Sequence, residues 1–160
     1  MLALAWLSAA PALAALGQPA STIAQDGTAA STPQARAFAA QLQPQAATGT
    51  ATATANYTVQ TVQAGSVTIA EYVNTASGLV FALRWQGPYM PDLRQILSTT
   101  HFDALRAALA QAPAHGVGGV LRMQLPDLVY TASGHMGHYV GMAYQPSLLP
   151  PGFDLSALSN

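Results

Sequence analysis

The chain has 160 residues, and only 7% of them are charged: five arginines, no lysine, five aspartates and one glutamate, for a formal net charge of −1. Such a surface lacks the clustered cations that a nucleic-acid backbone or an anionic membrane requires, so both are excluded as partners. Cysteine is absent, which removes disulfides, thiol nucleophiles, thiolate metal sites and a lipidated N-terminal Cys. A nearly neutral surface also gives little electrostatic protection against association.

Residues 1–14 form a short apolar run that ends in Ala12-Leu13-Ala14. The run is too short to cross a bilayer, which takes about 20 apolar residues. It fits the apolar region and Ala-x-Ala cleavage site of a secretory signal peptide, although no Lys or Arg precedes it. Pro11 and the change in polarity after Leu16 speak against a buried N-terminal helix. The expected mature chain starts near Ala15, has one domain's length and contains no further transmembrane candidate.

Residues 15–55 are rich in Ala, Thr, Gln, Pro and Gly and read as a low-complexity, partly flexible arm. Within it, residues 21–26 suit an edge strand. Residues 34–42 suit a helix that presents Phe38 and Leu42 on one face. The single α+β domain is expected over 56–160. Residues 57–62, 67–73 and 79–85 alternate as strands separated by Ala64-Gly65-Ser66 and by the 74–78 turn, which makes an antiparallel meander. Alternation puts Val67, Ile69 and Val73 on one face, with Glu71 intruding, and places Leu79, Phe81, Leu83 and Trp85 on one face of the next strand.

Gly87-Pro88-Tyr89-Met90-Pro91 breaks the sheet. Asp92, with Gln95 three residues on, starts a short helix. Thr100 and Asp103 signal a second helix with Phe102, Leu105 and Leu109 on one face, stopped by Pro113. Three more strands are expected at 120–125, 128–132 and 139–144, and a Pro-rich tail that wraps the surface. The fold class is therefore α+β: an antiparallel sheet of about five or six strands in two blocks, with one or two helices packed on one face.

Several of these residues carry a family resemblance. Glu71-Tyr72-Val73, Gly78-x-Val80-Phe81-Ala82 and Trp85-x-Gly87-Pro88-x-x-Pro91-Asp92-Leu93 supply its first half. Ser133-Gly134-His135-Met136, Gly141-x-Ala143-Tyr144 and Pro146-x-Leu148-x-Pro150-x-Gly152 supply the second. Ala15-Leu16-Gly17 and residues 21–26 match at the start. As a set they resemble the secreted proteobacterial domain of unknown function 2844 family. The resemblance implies an exported bacterial protein and supplies no activity, substrate or catalytic residue. It also implies a Gly near Ser98 and a basic residue near Gly137, and this chain has neither.

Candidate chemistry is sparse. His135 and His138, close to Met136 and Met142, are weak candidates for a soft metal ion; a plain hairpin turn accounts for them as well. Glu71 on its strand is a candidate catalytic carboxylate, but an edge or salt-bridged Glu, with Arg84 as one partner to consider, is the preferred reading. Asp92 is explained as a helix cap and Asp127 as a turn residue. No Gly-x-Ser-x-Gly elbow, phosphate loop or His-Glu-x-x-His motif occurs, and no cofactor is implied. The binding candidates are Trp85, Pro88, Tyr89, Met90 and Pro91, aromatic and thioether groups on a proline-stiffened loop. For Trp85, a plug between sheet and helix is the preferred reading. The sequence thus reads as an exported, periplasmic or secreted, non-catalytic module that binds another exported or envelope protein. The alternative is a small-ligand or metal-binding periplasmic protein, or a hydrolase of unrecognised type. A pocket joining Glu71 to His135 would favour the alternative.

Overall fold

In the computed structural model, residues 16–25, 28–29, 56–112 and 119–158 are described. Seven strands form one antiparallel sheet: β1 (Thr28–Ala29), β2 (Tyr57–Ala64), β3 (Val67–Asn74), β4 (Val80–Gly87), β5 (Leu121–Leu125), β6 (Leu128–His135) and β7 (His138–Tyr144). Their order is β1-β2-β3-β4-β7-β6-β5. The six long strands are those the alternation predicts, and they fall into two meanders joined where β4 pairs with β7. The two-residue β1 adds an edge beside β2. Helices α1 (Leu93–Ile96) and α2 (Ser98–Gln111) connect the blocks and cover one face.

The helix-side core runs under both blocks. Val67, Ile69, Leu83 and Trp85 meet Leu128, Tyr130 and Ala143 from the second block, with Ile96, Leu97 and Leu105 above them. Trp85 is fully buried, and its ring lies 5.7 Å from that of Tyr130. Its register partner is Gly141. A Cβ there would run into the Trp85 ring, so the glycine makes the flat spot on which the indole lies. Two separate motifs of the sequence resemblance therefore meet as one contact.

Asp92 caps α1 as expected, its carboxylate accepting from the Arg94 amide at 3.0 Å. At the start of α2, Ser98 adopts φ 60, a left-handed conformation that favours glycine. This is the position where the resemblance implies a Gly. Ser98 Oγ lies 3.0 Å from His101 Nδ1, a local contact that helps to hold the turn.

Two expectations are corrected by the structure. First, Phe81 does not share a face with Leu83 and Trp85. Tyr72 pairs with Ala82 while Val73 pairs with Val80, so Phe81 is an extra residue on β4. This bulge turns Val80 toward the helices and Phe81 to the opposite face. Second, residues 20–25 form a 3₁₀ helix rather than an edge strand. The Thr22 hydroxyl and amide both donate to the Pro19 carbonyl, at 2.7 and 3.1 Å, which winds the chain into a turn and sends Ile23 into the core. The tail lies along the sheet as a packed layer. Phe153 joins Tyr57, Tyr72 and Phe81 in an aromatic cluster with centroids 4.9–6.2 Å apart, and Leu158 is buried beneath them. The expected signal segment 1–14 and the expected helix over 34–42 lie outside the described residues.

Candidate functional site: the open half-face of the sheet

The tail covers only part of the face opposite the helices. It is fastened over β2–β4: Asn74 Nδ2 donates to the Leu148 carbonyl and the Tyr72 hydroxyl to the Ala157 carbonyl, both at 3.3 Å. The segment crosses from the second block at Asp127, whose carboxylate accepts from Gln145 Nε2 at 2.6 Å and from the Ser147 hydroxyl and amide at 3.0 and 3.2 Å. Burial raises the Asp127 carboxyl, but the hydrogen bonds from Ser147 and Gln145 together outweigh it and hold it below its ordinary value.

Beyond that crossing, among the described residues, the same face of β7, β6 and β5 stays open. Two adjoining cavities lie there. One, of about 440 Å³, is lined by Gln124, Val129, Tyr144 and Leu155 among others; the second, of about 200 Å³, by Arg84, Ser133, Val140 and Leu158. Arg122, Thr131 and Met142 line both. The register explains why these side chains gather. Arg84 pairs with Met142, Met142 with Thr131, and Thr131 with Arg122, so the four form one straight row across β4-β7-β6-β5. Val129, Thr131 and Ser133 follow one another along β6 on this face.

Arg84 stands at the inner end of that row beside Tyr72. Burial lowers the guanidinium pKa, and the neighbouring Tyr72 partly offsets the effect. Tyr72 itself is pushed up to about 12, chiefly by burial. Arg122 stands at the exposed outer end. The lining supplies cationic and neutral hydrogen-bonding groups with apolar contacts between them.

The predicted site residues are dispersed. Trp85 and Pro91 are buried, whereas Pro88, Tyr89 and Met90 are exposed. Tyr89 is anchored by its hydroxyl, which accepts from the Ser66 amide at 3.0 Å. His135 and His138 are paired at the tip of the β6–β7 hairpin with ring centroids 5.9 Å apart, and both are exposed. Among the described residues no group of three His, Asp or Glu gathers in a way that would hold a metal ion. Glu71 is fully buried on the helix-side face, opposite Leu83, while Arg84 is on the other face with Ala70. The two therefore do not face each other, and the suggested Glu71–Arg84 pairing is corrected. Glu71 is level with Tyr130, which is five residues, or about 16 Å, along β6 from His135. That register keeps Glu71 and His135 from sharing a pocket.

The Arg84–Met142–Thr131–Arg122 row is not among the candidates that the sequence offers. One half of the signal was present, since Arg122 and Gln124 alternate with Leu121, Met123 and Leu125. The other half, the pairing of β4 with β7, is tertiary.

A family model described as a protein of unknown function, DUF2844, matches residues 12–158. The chain is a member of that family. No curated protein and no solved structure matches it. Among the described residues no helix is long and apolar enough to cross a membrane.

Proposed function

We propose that the chain is an exported, non-catalytic binding module of the bacterial cell envelope, and that its partner is another exported or envelope protein. The observation that carries this reading is the half-covered sheet. Among the described residues, the tail packs down over β2–β4 and leaves β7–β5 with a groove of about 440 Å³. The groove offers arginine, threonine, glutamine and tyrosine beside apolar Val129, Met142 and Leu155, a mixture suited to recognition. The signal-like segment 1–14 supports export. Tyr89 and Met90, exposed on their loop, and Met136, 97% exposed at the hairpin tip, leave the same end of the sheet and offer a second contact.

The test is photo-crosslinking in intact cells, with a photoreactive residue in place of Gln124 on the open half and in place of Thr58 on β2 as control. The expected result is a discrete protein adduct in the envelope fraction from position 124 and none from position 58. Labelled chain found only in the cytoplasm would sink export; equal labelling from both positions would sink the binding face. A cavity of about 440 Å³ also falls in the range of small-molecule sites, which keeps a periplasmic small-ligand protein as the second reading. A small, non-protein mass at position 124 would favour it.

A further inference from the structure

We propose that His135 and His138, at the tip of the β6–β7 hairpin, form an open site for a monovalent copper ion, each imidazole supplying one nitrogen and Met136 a thioether from the turn between them. The inference rests on these three side chains and is independent of the protein-binding reading above.

Register places the two rings together. His135 and His138 are direct partners across the two strands. Residues directly opposite each other put their side chains on one face, with Cβ atoms about 4.5–5.5 Å apart. The ring centroids stand 5.9 Å apart, with 56° between the planes. With each nitrogen about 2 Å from a shared ion, two imidazole centroids stand roughly 5 Å apart at a tetrahedral angle and a little over 6 Å apart in line. The observed separation falls between those limits, so side-chain rotation alone can bring one nitrogen of each ring to a common point. The hairpin is held firmly around the pair. Gly137 closes the two-residue turn at φ 77. In the next register pair inward, the Tyr139 ring lies against Gly134.

The donor set selects the ion. Two imidazole nitrogens and a thioether sulfur bring no charge to offset a divalent ion, and they suit a soft monovalent one. Zinc closes its structural sites with four ligands, whereas monovalent copper is stable with two or three. Met136 is 97% exposed in the turn itself, where its flexible thioether can swing over the ion. Met142 is not a further ligand: it lies four residues from His138 on β7, about 13 Å along the strand. Both histidines are exposed, so the ion can enter and leave without any movement of the fold. Such a site suits an ion that is received and passed on rather than one locked in place.

The test is competition for monovalent copper between the full chain and a coloured copper(I) chelator, under argon with ascorbate present. The expected result is one ion per chain, with affinity reduced about a hundredfold in His135→Ala and in His138→Ala, and about threefold to tenfold in Met136→Leu. All three variants should melt as the native chain does, because the three side chains are exposed. His115→Ala should bind as tightly as the native chain. In nuclear magnetic resonance, the ion should move the ring signals of His135 and His138 together with the Met136 methyl. Native affinity in His138→Ala overturns the pair, and native affinity in Met136→Leu overturns the thioether ligand. Loss of binding in His115→Ala overturns a site built from the hairpin alone. Zinc binding to the same residues as tightly as copper overturns the choice of ion. One ion per two chains, with a doubled mass in solution, means that two hairpins share it, which overturns the single-chain site. If the chain takes no copper from the chelator, the proposal falls, and position-124 crosslinking still decides separately whether a protein partner exists.

Discussion

The two halves of the sheet are built from strands of similar length, yet among the described residues one is closed and the other open. In β3 every residue but Asn74 is buried, whereas β5 alternates between half-buried and exposed positions. Helices cover the first face of both halves; what differs among the described residues is the second face, where residues 146–158 pack over β2–β4. A sheet covered on one side only can display side chains in fixed register without spending them on the core. The closed half holds the structure, and the open half is where specific recognition can be placed.

The comparison breaks most severely at the seam. Trp85→Ala removes the indole that bridges β4 to Gly141 and Tyr130, and should cost about 3–5 kcal/mol in chemical denaturation. Phe153→Ala strips the tail's aromatic contact and should make the closed half resemble the open one. Because Phe153 is only half-buried, about 2 kcal/mol is expected, with faster hydrogen exchange in β2 and β3 but not in β6. Ser98→Gly changes the helical layer common to both halves. It should raise stability by about 0.5–1 kcal/mol, because glycine takes φ 60 without steric cost and only the His101 contact is lost. Val140→Thr on the open half should move the melting curve by no more than about 0.5 kcal/mol while still altering ligand capture, which would separate recognition from packing.

The smallest effect is the dependence on pH at Asp127. Its folded pKa is lowered by hydrogen bonds from Ser147 and Gln145. The stabilisation is therefore complete above the unfolded aspartate pKa and is lost as pH falls through the lower, folded value. Exchange of the Ser147 amide should accelerate in that acid window in the native chain and show no such step in Asp127→Asn. An Asp127→Asn chain with the same step would mean that another carboxylate fastens the tail.

Much of the scaffold is legible in the residues. Strand alternation, the Gly turns, the Asp92 cap and the Leu105 face identify the six long strands and both helices, because each depends on neighbours in sequence. The 80–82 stretch misleads because alternation assumes one residue per register step, and Phe81 breaks that rule. Thr22 misleads because its hydroxyl competes for a carbonyl that a strand would leave to its neighbour. The candidate groove is hidden for a different reason: Arg84 and Arg122 are 38 positions apart and become neighbours only through two intervening strands.

The bulge at Phe81 also has a consequence for chain length in the family. In a regular strand, removing one residue inverts the facing of everything on one side of the cut. At Phe81 the surplus residue absorbs the cut: Val80 and Ala82 would keep their partners' parity, and what is lost is one ring over Tyr72. Relatives that differ in length within this strand should therefore gain or lose their residue here, and an alignment that places the gap at Leu83 instead would assign the wrong facing to Arg84 and Trp85.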